Sequence, residues 1–251
     1  MTTHLFIITG ASRGMGFCLA EQLLAPTHQL LCISRHISSD LATSAQRVGG
    51  GLQQLASDLS EPQHAAAQLS QWLAAQQSDQ VASVTLINNA GAIPLIAPLG
   101  ASDPAELSRA LRVGLEAPLV LTAAFLVSTR TWQASRRVLN ISSGLGRRPM
   151  ASQAAYCAAK AGMDHFTRCL ALEEALLPNG AKVCSLAPGV IDTEMQLQLR
   201  SASPTLFPDQ GNFAQLKAGG QLTSAHDAAT LVLAFLSRAD FGSQVVADVR
   251  H

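Results

Sequence analysis

Short apolar runs recur along the chain: "LFIIT" at 5–9, "QLLCIS" at 29–34, "SVTLIN" at 83–88, "RVLNIS" at 137–142 and "KVCSLA" at 182–187. Their length and β-branched content predict strands, and their continuous apolarity predicts that both faces are covered. Between them lie Ala-, Leu- and Gln-rich stretches with helical spacing, such as "GFCLAEQLLA" at 16–25 and "AAAQLSQWLAAQQ" at 65–77. "GGGLQQLASD" at 49–58 and "SQVVADV" at 243–249 would each supply a further strand. The alternation predicts an α/β fold: a single-domain, Rossmann-type, doubly wound parallel sheet of about seven strands flanked by helices. Residues 201–222, rich in Pro, Gly and Ser, interrupt the pattern. We expect Thr193 to open a helix, 201–222 to be irregular, and the segment around 193–222 to cover a substrate.

Composition narrows the partners. The chain has 251 residues, 48% of them hydrophobic, which suits one large domain over residues 1–251. Lys plus Arg and Asp plus Glu are 17 each, so no net field draws it to nucleic acid or an anionic membrane. No uninterrupted apolar run approaches the roughly 20 residues of a membrane span, and the reading is a cytoplasmic chain. Five cysteines without a CxxC pair point to buried thiols, not to a disulfide framework or a metal site.

The first strand runs into "TGASRGMG" at 9–16, which puts Gly10, Gly14 and Gly16 at a strand-to-helix turn with Ser12, Arg13 and Met15 between them. Such a turn lets the backbone approach a pyrophosphate, and the helix beyond it points unpaired N–H groups at the anion. The second strand ends "CISRH": Ser34, Arg35 and His36 stand where a ribose-binding Asp or Glu is expected in NAD-preferring folds. Arg13 and Arg35, with no acid nearby in sequence, favour NADP(H). Asp58 and Leu59 close the third strand, where an Asp can meet the adenine edge; Asn88, Asn89, Ala90 and Gly91 close the fourth, beside the cofactor.

These motifs, followed by "NISSG" at 140–144, "YCAAK" at 156–160 and "APGVIDT" at 187–193, resemble in order the short-chain dehydrogenase/reductase family over nearly the whole chain. The resemblance implies hydride transfer between a nicotinamide and a carbonyl or alcohol, with Ser143, Tyr156 and Lys160 as the catalytic set. Tyr156, the only tyrosine, and Lys160 share one helix face. A nearby ammonium and an oxidised nicotinamide are both expected to favour the phenolate of Tyr156. Lys160 would also hold the nicotinamide ribose, and Pro188, Gly189, Ile191 and Thr193 would meet the nicotinamide and the phosphates. Ser142 is a rival of Ser143, but the thirteen-residue spacing to Tyr156 selects Ser143; Cys157 reads as packing. The family's usual Asn in the helix before the serine strand, which supports a water linked to the lysine, is Gly114 here.

Within the family the C-terminal half is most similar to the sepiapterin reductase and benzil reductase branch. That implies a small-molecule carbonyl substrate, a vicinal dicarbonyl or a pterin side-chain ketone. Ser143, Gly144, Tyr156 and Gly189 would face it, and Asp248 in "VVADVR" would anchor a pterin. The same triad would serve an acyl-carrier-protein or steroid ketone reductase, and Gly114 raises a reading from another class, a non-catalytic NADPH-binding sensor or scaffold. The resemblance further implies a homodimer or homotetramer through the Ala- and Leu-rich helices at 103–127 and 152–177.

Overall fold

The apolar runs do pair into one sheet. In the computed structural model, which describes residues 2–250, seven strands are present: β1 (Thr3–Thr9), β2 (His28–Ser34), β3 (Gly51–Ala56), β4 (Val81–Asn88), β5 (Ser135–Ile141), β6 (Lys182–Ala187) and β7 (Val246–Asp248). All neighbours are parallel, in the order β3-β2-β1-β4-β5-β6-β7. The order reverses between β1 and β4, so a crevice opens beyond their C-terminal ends.

Successive strand residues point to opposite faces, which divides the core in two. Leu5, Ile7, Leu31, Ile33, Leu86 and Val138 pack on one side against α3 (Pro62–Ala74), α5 (Ala117–Thr129) and α6 (Ala154–Ala175). Ile8, Leu30, Cys32, Ile87, Leu139 and Cys184 pack on the other, against α1 (Gly14–Gln22), α2 (Ser39–Val48) and α9 (Ala225–Leu236).

Three expectations change. The expected helix at 103–127 is α4 (Pro104–Leu111), then a π-helical turn at Arg112–Glu116, then α5. Over Pro104–Thr129 this stretch is long and apolar enough to cross a membrane by composition, yet half of its most apolar window is buried inside the fold. The region at 193–222 is ordered: α7 (Glu194–Ser201) and α8 (Gln210–Ala218) pack together around Leu199 and Phe207, and Phe207 stacks on Phe213 with ring centroids 5.6 Å apart. Of the cysteines, Cys32 and Cys184 are buried, whereas Cys169 is exposed.

Candidate active site

Beyond the ends of β1 and β4 lies a cavity of about 770 Å³, within the usual range for small-molecule sites. Its floor is the glycine turn. Gly10 and Gly14 have φ of +70° and +58°, a conformation L side chains rarely adopt. Gly16 is held for a different reason: a Cβ there would lie 2.2 Å from the Gly10 carbonyl oxygen. The turn is clamped from β4, where Asn89 donates from Nδ2 to the Thr9 carbonyl at 2.9 Å and Thr9 Oγ1 accepts from Asn89 N and Ala90 N, both at 3.0 Å. Asn88 works one layer below, donating to Thr122 Oγ1 at 3.1 Å and to Asn140 Oδ1 at 2.8 Å. These bonds satisfy buried amides where loops leave the sheet.

Arg13 and Arg35 line one end of the cavity with Asp58, Leu59 and Arg109. A bond from Ser60 N to Asp58 Oδ1 at 2.9 Å holds the Asp58 carboxyl below its ordinary range, with the Arg109 and Arg35 guanidinium groups adding to the effect. Arg35 therefore does face an acid, contrary to the expectation from sequence neighbours. Ser57 Oγ, on the same wall, is buried without a protein partner. The open helix terminus, the turn that excludes a side chain at Gly16 and this orphaned hydroxyl together fit a bound dinucleotide.

At the other end stand Ser143, Tyr156 and Lys160. β5 delivers Ser143 in extended conformation, and α6 presents Tyr156 and Lys160 one turn apart. Ser143 Oγ accepts from Leu145 N at 3.1 Å, and Ser143 and Tyr156 both face the cavity. Ser142 is buried and turned to Asp164, so the two serines divide as strand alternation requires. Lys160, 3% exposed, donates to the Ile141 carbonyl at 2.7 Å and lies 5.8 Å from the Tyr156 ring centroid.

Electrostatics corrects one expectation. Burial pushes the Tyr156 phenol up, and the neighbouring Ser143 hydroxyl opposes this only in part. Without cofactor the phenol is held protonated, the state a proton donor needs. Burial lowers Lys160 to about 8, opposed by the Asp164 charge. Burial also raises the Cys157 thiol, which suits packing and not nucleophilic attack.

Gly10, Ser12, Arg13, Gly14, Met15, Gly16, Arg35, Asp58, Leu59, Asn89, Ala90, Gly91, Ser143, Gly144, Tyr156, Lys160, Pro188, Gly189, Ile191 and Thr193 all line this one cavity. His36 and Asp248 do not. His36 is exposed. Asp248 is bound by Arg250, whose Nε and Nη2 donate to its carboxylate at 2.8 and 2.7 Å, and Arg250 is the residue that reaches the cavity. The carboxylate expected to anchor a substrate is thus paired with Arg250 and set back from the cavity lining.

Several lining residues escape the sequence reading. Arg109 arrives on α4 from a distant part of the chain; its positive charge is the sole signal. Gln196 follows Thr193 closely on α7, is 3% exposed, and its Oε1 has no protein partner. Around it Ile93, Met195, Leu199 and Phe213 make this end apolar. Gly114 is buried in the π-helical turn, and a Cβ there would lie 3.1 Å from Ala159 Cβ, so glycine lets this turn approach α6 beside Lys160.

The model of the short chain dehydrogenase family matches residues 4–204. A benzil reductase ((S)-benzoin forming) of Bacillus cereus is 33% identical over 235 residues, covering 94% of each chain. The sepiapterin reductase of Meriones unguiculatus is 33% identical over 252 aligned residues, covering 94% of this chain and 92% of that protein. Among solved structures, a metagenomic short-chain oxidoreductase in complex with NADP is 26% identical, with a TM-score of 0.74 and coverage of 98% of this chain and 96% of that one. A family match over most of the length, and relatives sharing a third of their residues along nearly all of it, place the chain in the short-chain dehydrogenase family of oxidoreductases.

Proposed function

We propose that the chain is an NADPH-dependent carbonyl reductase acting on a vicinal dicarbonyl or a pterin side-chain ketone. The observation that carries this reading is the convergence of Ser143, Tyr156 and Lys160 on the wall of one dinucleotide-sized cavity, with Lys160 Nζ 5.8 Å from the Tyr156 ring centroid. The names of the benzil and sepiapterin reductases, each about a third identical to this chain, support the substrate class.

When bound, the reduced nicotinamide supplies the hydride. Tyr156 donates its proton to the carbonyl oxygen, and Ser143 donates a second hydrogen bond to the same atom. Lys160 holds the ribose hydroxyls and offsets the charge left on Tyr156. Ile191, from the wall opposite, shields one face of the ring site. Ile93, Met195, Leu199 and Phe213 give the substrate end an apolar lining suited to an aryl or pterin body. The test is NADPH consumption with benzil, other diketones and sepiapterin: oxidation with at least one supports the reading, and cofactor binding without oxidation across the panel contradicts it.

Two predictions arise here. Arg35 and Arg109 face Asp58, and Arg13 lines the same cavity, a cationic excess that suits a 2′-phosphate. Arg35→Asp is expected to lower kcat/KM for NADPH by about 10-fold to 100-fold and to raise the NADH share, as loss of one charge-assisted contact of about 1.5–3 kcal/mol would; an unchanged ratio contradicts the assignment. The second concerns pH. Lys160 titrates at about 8, so below that pH it carries the charge that Tyr156 needs on giving up its proton. As pH rises through 8 the charge is lost, and kcat/KM for reduction is expected to fall on the alkaline side; a profile flat to pH 10 contradicts the role given to Lys160.

For assembly, Leu119, Ala123 and Val127 form an exposed stripe on α5 at i, i+4 spacing, and Cys169, Leu172 and Leu176 form one on α6. These faces favour a homodimer through the two helices.

A further inference from the structure

A carboxylate that the proposed chemistry does not use lies just behind it. Asp164 is 2% exposed and stands on α6, eight residues after Tyr156 and four after Lys160. Its Oδ1 accepts from Ser142 Oγ at 2.5 Å and from Ser185 Oγ, on β6, at 2.6 Å. Its Oδ2 accepts from Arg147 Nε at 3.4 Å, and Arg147 Nη2 donates in turn to the Ala247 carbonyl of β7 at 2.8 Å. Burying a carboxylate is costly unless its oxygens are met by donors, and here four elements meet on one group.

The arrangement brackets Ser143. Ser142 precedes it, Arg147 follows the 3₁₀ turn Gly144–Gly146, and both ends of this short segment bond to the same carboxylate. The turn lies tightly on α6: a Cβ at Gly146 would stand 3.0 Å from Asp164 Oδ2 and from the Lys160 carbonyl oxygen. The charged and titratable groups facing Asp164 are Lys160 on its own helix, Arg147 from the turn and Cys184 from β6, whose thiol burial pushes up to about 12. Tyr156 faces Lys160 from the same helix. From β7, Asp248 is taken up by Arg250.

We infer that Asp164 is a positioning residue for reduction: it fixes the Ser142–Arg147 segment so that Ser143 keeps its place beside Tyr156 in the cavity, and it sets a negative charge one helical turn from the Lys160 ammonium. The inference rests on Ser143, Tyr156 and Lys160 being the reducing set, and the test separates the two. In Asp164→Asn the shape is kept and the charge removed. In full-length protein labelled with ¹³C-lysine, and with the Lys160 signal assigned from Lys160→Met, that signal is expected to titrate about one unit lower than in the wild type. In the same variant the alkaline limb of kcat/KM should move down equally, and kcat should fall about tenfold with KM within about threefold. A Lys160 midpoint equal to the wild type's overturns the inference, whether or not the enzyme turns over.

Should Asp164→Asn fail to fold, Arg147→Met decides the matter. Removing the cation from Oδ2 leaves the Asp164 charge less shared, so the Lys160 signal is expected to titrate higher while kcat falls. An unmoved signal with an unmoved kcat refutes the role. A wild type that shows the Lys160 titration but reduces nothing contradicts the proposed function alone, and the Lys160 midpoints then still decide the charge half of the inference.

Discussion

Tyr156→Phe is expected to lower kcat for carbonyl reduction by about 10³-fold while leaving the Kd for NADPH within about threefold, because a positioned general acid contributes about 10²–10⁴-fold. The change removes one oxygen and leaves the ring, which packs on α6 beside Lys160. No other tyrosine exists to replace it. Ser143 would remain to bond the carbonyl oxygen, but its hydroxyl is a far weaker acid than a phenol and has no ammonium behind it. Stopped-flow NADPH oxidation together with fluorescence titration of the cofactor separates the two quantities. A variant that turns over within tenfold of the wild type would remove Tyr156 from the chemistry.

Gly16→Ala is expected to act in the opposite way, on the cofactor and not on the proton. The added Cβ would sit 2.2 Å from the Gly10 carbonyl oxygen and 2.4 Å from Asn89 Nδ2, both part of the clamp that closes the turn. Backbone cannot yield as a flexible side chain does, so the turn must open and its N–H groups leave the phosphate site. NADPH affinity should drop by about 100-fold or more, as loss of two or more charge-assisted contacts would, with a stability loss of about 1–3 kcal/mol from overpacking. Calorimetric titration and thermal unfolding measure the two effects, and normal NADPH affinity would contradict the assignment of this turn to the cofactor.

The sheet was legible because its strands are apolar on both faces. β6 runs from Lys182 to Ala187, the limits its apolar run indicates, and the split of Leu86 from Ile87 or Val138 from Leu139 follows from alternation alone. Two helices went unread despite clear signals. α2 is capped by Ser38, which accepts from Leu41 N at 3.2 Å, and ends at Gly49 with φ +74°. α9 opens with Ser224 accepting from Asp227 N at 3.0 Å. Both are start and stop patterns of the kind sequence can show. The start of α7 at Thr193 was legible, but α8 and its packing were not, since Leu199, Phe207 and Phe213 form a small core only after the chain has folded back on itself.

The site divides along the same line. Residues that act through local backbone, such as Gly10, Gly16 and the Tyr156–Lys160 pair, announce themselves by spacing. Arg109, Gln196 and Arg250 reach the cavity through long-range packing, and nothing in their immediate neighbours marks them. Spacing shows the lysine beside Tyr156 but not the burial that, without cofactor, pushes the phenol up. The pairing of Asp248 with Arg250, two residues on, is a contact that spacing alone does not announce.

The most direct test is a crystal structure of the chain with NADP⁺ and a non-reducible diketone analogue. The expected result is one carbonyl oxygen within hydrogen-bond reach of both Ser143 Oγ and the Tyr156 hydroxyl, with the nicotinamide ring stacked over the adjacent carbon and its ribose on Lys160. A dinucleotide bound away from the glycine turn, or an analogue whose carbonyl lies remote from Tyr156, would contradict the assignment of this cavity to carbonyl reduction.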